Sequence, residues 1–259
     1  MRHAGRQGLT RALLAWYELE RRDLPWRRTR DPYRILVSEL MLQQTQVARV
    51  VPRYEAWVER WPTAEALAAA PLGDVLREWV GLGYNRRAVR LWEATRFVAA
   101  HGWPSRLEDL PGVGPYTAAA VGSFAFDRQV VAVDTNARRV FARAGSLEPP
   151  PGAAATFNQA TMELGARICT ARRPRCGECP LASACPSRGA IADPPRRRAA
   201  NGTRFEDTDR YVRGRVVAAL ATGEPLPEGI GPERLDRAVA ALERDGLVAR
   251  DARGSLRLP

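Results

Sequence analysis

Apolar residues recur at three- and four-residue steps along most of the chain, the period of a helix that buries one face. The spacing predicts an amphipathic helix over 9–22, then helices over 32–47, 48–60, 63–70, 72–80 and 86–101. Trp61-Pro62, Pro71 and the GLG of 81–83 separate the later ones, and Asp31-Pro32 reads as a helix start. LPWRRTRDPY (24–33) is a Pro-punctuated loop, and LPGVGPYTAAAVGSFAF (110–126) is a Gly/Pro turn feeding a helix of small residues. Further helices are expected over 133–145, opened by Asp134 at an N-cap, and over 154–168. Almost no alternating strand pattern precedes residue 190, so the fold class expected is all-α. Residues 187–206 mix Pro, Gly and Arg without periodicity and read as a linker. The last stretch differs: DTDRYVRGRVVAAL and PERLDRAVAALERDG look helical and LVARDARGSLRLP looks like a short hairpin, the pattern of a small winged-helix-like module.

One segment disturbs its own pattern. In SELMLQQT (38–45) the apolar face of Ile35, Leu36, Leu40, Met41 and Leu42 is interrupted by Ser38 and Glu39. A carboxylate among apolar residues costs free energy unless it is paired, hydrogen-bonded or protonated. Its presence there asks for a chemical reason.

Charge narrows the partner. The formal net charge is +11, and all 40 basic residues are Arg. Codon bias in a GC-rich genome explains Arg in place of Lys but not the excess of base over acid, which favours a polyanion such as DNA or RNA. Without Lys no side chain can form a Schiff base, which excludes lysine-based lyase chemistry. No stretch reaches the roughly 18 apolar residues of a membrane span. The N-terminal apolar residues follow helical spacing rather than forming a signal-peptide core. A cytoplasmic, reducing location is therefore expected, with no membrane partner, and there clustered cysteines serve as metal ligands more often than as disulfides.

Three short segments carry candidate chemistry. Cys169, Cys176, Cys179 and Cys185 give C-x6-C-x2-C-x5-C, a set that fits either structural zinc or an iron–sulfur cluster. The surrounding Arg167, Arg172, Arg173 and Arg175 offset thiolate charge and make a basic loop suited to phosphates. In LPGVGPYT (110–117), Gly112 and Gly114 expose backbone N–H groups before a helix, as in a helix-hairpin-helix DNA-binding element. In VDTN (133–136), Asp134 reads first as a cap, but with Glu39 it supplies a second carboxylate. Paired carboxylates suit cleavage of a glycosidic bond, one donating a proton to the leaving group and the other stabilising a cationic sugar.

LPWR, SELMLQQTQV, GLGY, LPGVGPYTAAA, VDTN, FNQATMELGA and the Cys spacing occur in this order over about residues 9–188. Together they resemble the helix-hairpin-helix DNA glycosylase superfamily, and within it the MutY-type adenine glycosylases that act opposite 8-oxoguanine. The resemblance implies a two-lobed fold. Residues 1–28 and 135–190 would form the iron–sulfur domain and 29–134 a six-helix barrel with the helix-hairpin-helix. Residues 191–204 would be the linker and 205–259 the winged-helix-like module. It implies one 4Fe–4S cluster per chain rather than zinc, and a bacterial, nucleoid-associated monomer bound to double-stranded DNA containing an adenine mispair. Glu39 would protonate N7 of a flipped adenine and, once ionised, activate water; burial would raise its pKa as this role requires. Asp134 would stabilise or briefly trap the oxocarbenium-like sugar, with Asn136 orienting the acids. Tyr116 falls where endonuclease III-like lyases carry a catalytic Lys, so a monofunctional enzyme that leaves an abasic site is implied. Trp26, Arg27, Leu42, Gln159 and Met162 would wall the adenine pocket. Gln44 and Thr45 would touch the orphaned 8-oxoguanine, with Leu82 and Tyr84 wedged beside it.

The chain departs from the family pattern in places. VDTN stands for the more usual D-G-N, and Asn85 follows Tyr84 where a second Tyr is common. Residues 203–259 are too short, and wrongly patterned, for the β-rich reader domain of many family members. The competing readings are a T:G or U:G mismatch glycosylase, an endonuclease III-like enzyme, and a non-catalytic iron–sulfur DNA-binding protein. QQT with Tyr116 argues against the first two, and the set Glu39, Asp134 and Asn136 against the last.

Overall fold

The computed structural model describes residues 2–190 and 204–259, with side chains from residue 7 onward. Its helices are α1 (Arg2–Glu20), α2 (Pro32–Leu42), α3 (Val47–Arg60), α4 (Ala64–Ala68), α5 (Leu72–Trp79) and α6 (Arg86–His101). They continue as α7 (Pro115–Ala125), α8 (Thr135–Ala144), α9 (Ala154–Arg167), α10 (Asp209–Thr222) and α11 (Pro232–Arg244). The only strands among the described residues are β1 (Ala249–Arg250) and β2 (Leu256–Arg257), paired antiparallel. The all-α expectation and the helix–helix–hairpin tail are both realised. The linker expected at 191–204 lies, but for its last residue, outside the described residues.

The chain forms two compact units, Met1–Ile35 with Val113–Arg196, and Leu36–Gly112 with Arg197–Pro259. In the first, α9 is the axis against which α1, α7 and α8 pack. Its core gathers Leu13, Tyr17, Val140, Phe157, Leu164 and Leu181, and Cys169, Cys179 and Cys185 border it. The α8–α9 contact is close: a Cβ on Gly165 would stand 2.7 Å from Asn136 Cβ and 2.8 Å from its carbonyl oxygen. In the second unit α6 packs on α4 and α5, and α10 packs on α11 and α5. Trp57 lies edge-on to Trp61 and Trp79, at 4.7 and 5.5 Å between centroids.

The helix expected over 32–47 breaks at Leu42, and α3 starts afresh after Gln46. The cause is a guanidinium from another helix. Buried Arg87 of α6 donates through Nη1 to the carbonyls of Leu40, Met41 and Gln43, at 2.8, 3.1 and 2.6 Å. These are the orphan acceptors of a helix C-terminus. Nη2 donates to Thr45 Oγ1 and to the carbonyls of Leu82 and Gly83, at 3.2, 3.0 and 2.9 Å. One side chain thus ties the QQT turn to the GLGY turn. Burial pulls its pKa down to about 10, which leaves it charged at neutral pH.

Candidate active site

The second unit holds the first acid. Glu39, 6 % exposed, lies on α2 beside fully buried Val37, Leu40 and Met41. Half-buried Leu42 ends the helix. Beyond it the chain turns through Gln44, whose φ of 55° is left-handed, and Tyr84 in the facing turn has φ 48°. Such φ values are uncommon without glycine and cluster at functional turns. The Tyr84 hydroxyl donates to Gln44 Oε1, so the two residues expected at the orphan base do meet. Leu82 is 4 % exposed and Tyr84 is 38 % exposed. Leu82 is thus buried, and Tyr84 is the exposed side chain of the pair.

The hairpin turn follows α6. Gly112 has φ +75°, and a Cβ there would fall 2.6 Å from Arg90 Cβ, so the position requires glycine twice over. Gly114 then caps α7, with Pro115 as its first residue, the asymmetry expected of a helix start.

The first unit holds the second acid. Asp134 caps α8, its Oδ1 accepting from Ala137 N at 2.6 Å, while Oδ2 accepts from Asn136 Nδ2 at 2.9 Å. The capping role read from the sequence is real, and Asn136 hydrogen-bonds the same carboxylate. Arg139 Nη2 in turn donates to Asn136 Oδ1 at 2.7 Å and to the Gly165 carbonyl at 2.6 Å. The strand-like approach to Asp134 is fixed by Asn158. Its Oδ1 accepts from Ala132 N at 3.0 Å, and its Nδ2 donates to Ser123 Oγ at 3.0 Å and the Val130 carbonyl at 2.9 Å. Tyr116 points its hydroxyl at Met162 Sδ, 3.9 Å away. Gln159 Oε1 accepts from the Tyr17 hydroxyl at 2.6 Å. Trp26 is buried in the loop before α2.

Arg27 has a further partner that sequence reasoning missed. It donates to Glu163 Oε2 at 2.8 Å, and Arg22 grips the same carboxylate with two bonds of 2.8 Å. Burial opposes the charge on Glu163, but the bonds from Arg22 and Arg27 outweigh it and hold the carboxyl below its usual range. Asn158, Glu163, Arg139 and Arg143 were all missed. The one signal in the sequence was the polar Asn158 and Glu163 at core positions of α9.

The four cysteine thiols line one pocket, whose space of about 310 Å³ includes open solvent, with Arg143, Ile168 and Pro174 among its other walls. None is in a disulfide. Burial pushes the Cys179 thiol up, and the three neighbouring cysteines push the same way. Arg143 reaches Cys169 Sγ at 3.5 Å and the carbonyls of Thr170 and Ala171 at 2.7 and 2.9 Å, while Arg139 Nε donates to the Cys169 carbonyl at 2.6 Å. Among the described residues no three His, Cys, Asp or Glu gather tightly enough for a single ion. An all-thiol set spread around a shared cavity fits a polynuclear cluster better than one zinc.

A family model described as the HhH-GPD superfamily of base excision DNA repair proteins matches residues 37–164. Another, described as the iron-sulfur binding domain of endonuclease III, matches 169–185. An adenine DNA glycosylase of Mycolicibacterium smegmatis is 45% identical over 278 residues, spanning 95% of this chain and 94% of that protein. The chain belongs to the adenine DNA glycosylase family. The human adenine DNA glycosylase is 41% identical over 214 residues, but the match spans 70% of this chain and 39% of that protein. The family resemblance is thus near full length with the mycobacterial relative and partial with the human one. Among solved structures, a thermostable thymine-DNA glycosylase superposes with a TM-score of 0.67 at 31% identity, covering 73% of this chain and 99% of that one. Glu39 and Asp134 both fall inside the matched HhH-GPD segment. No described helix is long and apolar enough to cross a membrane.

Proposed function

We propose that this chain is a monofunctional DNA glycosylase that hydrolyses the N-glycosidic bond of adenine mispaired with 8-oxoguanine or guanine and leaves an abasic site. The observation that carries this reading is Glu39, a carboxyl 6 % exposed on a largely apolar helix within the family segment. Burial disfavours the charged form, so the acid is suited to donate a proton to N7 of an extruded adenine. The conjugate base then activates water. Asp134, both oxygens already held, supplies fixed negative charge for the oxocarbenium-like sugar. Asn136 orients it, and Tyr116 at the lyase position, in a chain without Lys, leaves no amine side chain to attack the sugar. Trp26, Arg27, Leu42, Gln159 and Met162 are assigned to the adenine, and Gln44, Thr45, Leu82 and Tyr84 to the base opposite.

The partner is double-stranded DNA, which the +11 charge and the Gly112/Gly114 turn support. The group held by Cys169, Cys176, Cys179 and Cys185 is one 4Fe–4S cluster, which when bound fastens the basic loop. The protein acts as a monomer in the cytoplasm. By role, 1–28 and 135–190 form the cluster domain, 29–134 the helical domain and 205–259 the tail module. The likeness to a thymine-DNA glycosylase supplies the second reading, excision of T from T:G. An excision assay on strand-labelled A:8-oxoguanine, A:G, T:G and U:G duplexes separates them. Cleavage confined to the adenine mispairs is expected, and preferential release of T or U overturns the reading.

A further inference from the structure

Residues 127–134 join α7 to α8 without helix or strand, so their backbone polar groups need partners elsewhere. Val130 and Val133 are exposed, and Ala132 alone of this stretch is buried. There Asn158 of α9, itself buried, takes hold. Its Oδ1 accepts from Ala132 N at 3.0 Å and its Nδ2 donates to the Val130 carbonyl at 2.9 Å. The side-chain amide thus meets one acceptor and one donor two residues apart, as the backbone of a neighbouring strand would. The other Nδ2 hydrogen goes to Ser123 Oγ, which in turn donates to the Ala120 carbonyl at 3.1 Å. Only a side chain that donates and accepts at once can fill this place: an aspartate has no N–H and a leucine has neither group. Gly165 stands about two turns further along α9, and there Asn136 packs against the helix. Asp134 lies between these two seats, two residues after Ala132 and two before Asn136.

We propose that Asn158 is a positioning residue for base excision: by fixing residues 130–132 it sets where the Asp134 carboxylate stands against the sugar. The proposal rests on the glycosylase reading above, in which Asp134 faces the sugar cation. The bonds that Asp134 makes itself, to Ala137 N and Asn136 Nδ2, both run to α8 on its C-terminal side. Its approach from the N-terminal side is held at Ala132 and Val130, by Asn158. Stabilisation of charge that develops only in the transition state depends on groups already in place. A displacement of about 1 Å can cost about 10²-fold in rate. Asn158 bonds the peptide groups of the loop and not the carboxylate, so its effect on the reaction passes through Asp134. An asparagine that served stability alone would leave untouched the discrimination between a charged and a neutral sugar.

The test compares the full chain with its Asn158→Ala and Asn158→Leu variants, the second keeping the volume so that the core stays filled. Leu67→Ala, a truncation in the core of the other unit, serves as a variant that is destabilised for an unrelated reason. Fluorescence anisotropy measures binding to two duplexes that differ only in the sugar opposite 8-oxoguanine: a neutral tetrahydrofuran, or a protonated pyrrolidine that mimics the cation. The unaltered chain and Leu67→Ala are expected to prefer the cationic duplex by about tenfold or more, the contribution of a well-placed carboxylate. Both Asn158 variants should retain affinity for the neutral duplex within about twofold and lose most of the preference, with the ratio falling to about threefold or less. A preference that survives in both Asn158 variants, or equal losses on the two duplexes, overturns the positioning role alone. Absence of any preference in the unaltered chain overturns the assignment of Asp134 to the sugar, and this proposal with it.

Discussion

Glu39 on α2 and Glu163 on α9 are both buried carboxyls on helices, one in each unit. Their surroundings differ in kind. Glu163 is clamped by Arg22 and Arg27, with Arg167 at 3.8 Å, and its charge is fixed. Glu39 is buried beside Val37, Leu40 and Met41 of its own helix, and burial by itself disfavours a charged carboxyl. The same residue type is an ion-paired carboxylate in one place and, on the proposed reading, the proton donor in the other. Environment, not identity, separates architecture from chemistry.

The sharpest break of the comparison is Glu39→Gln. The shape is kept and the proton is lost, so single-turnover excision should fall about 10²–10⁴-fold with little change in the melting temperature. Comparable activity in this variant would remove Glu39 from the reaction. Glu163→Gln should do the reverse. Removing one partner from a buried ion pair costs about 3–5 kcal/mol, read as a lower denaturation midpoint, while excision per folded molecule stays within a few-fold. The pH dependence sharpens the point. The Glu163 carboxyl is lowered in the folded state, so its contribution is complete above the unfolded value of roughly 4.3 and is lost as pH falls through the folded one. The stability gap between the unaltered chain and Glu163→Gln should therefore narrow below about pH 4, and a constant gap would contradict the pairing.

Arg87 offers a third case, a buried cation met by carbonyl and hydroxyl oxygens rather than by a carboxylate. Arg87→Lys keeps the charge but not the fork of donors that reaches six acceptors. A cost of about 1–3 kcal/mol in denaturant is expected. The smallest effect belongs to Gly165→Ala, whose methyl group would press on Asn136. About 1–2 kcal/mol of overpacking is expected, together with slower excision as Asn136 and its Asp134 bond shift.

Much of this was legible in the chain. The starts of α2, α5 and α6, the cap at Asp134 and the helices of the tail follow from local signals acting within one turn. So does the Cys spacing. What stayed hidden acts at long range. Nothing in QQTQV announces that an arginine 40-odd positions on will end its helix. Leu82 reads as well for a wedge as for a core residue, and only the fold buries it. Arg22 reads as the end of an amphipathic helix and Arg27 as part of a Pro-punctuated loop until α9 brings Glu163 to them. The docking of the tail depends on Gly73 lacking a side chain, a fact with meaning only once Pro259 lies there.

Asp134 joins two jobs in one carboxylate, since the oxygen that starts α8 belongs to the group assigned to the sugar cation. Evolution cannot tune one job at that position without disturbing the other. Asparagine is the substitution that divides them: it preserves the turn and removes the charge, so a chain carrying it would fold, dock on its target and fall silent.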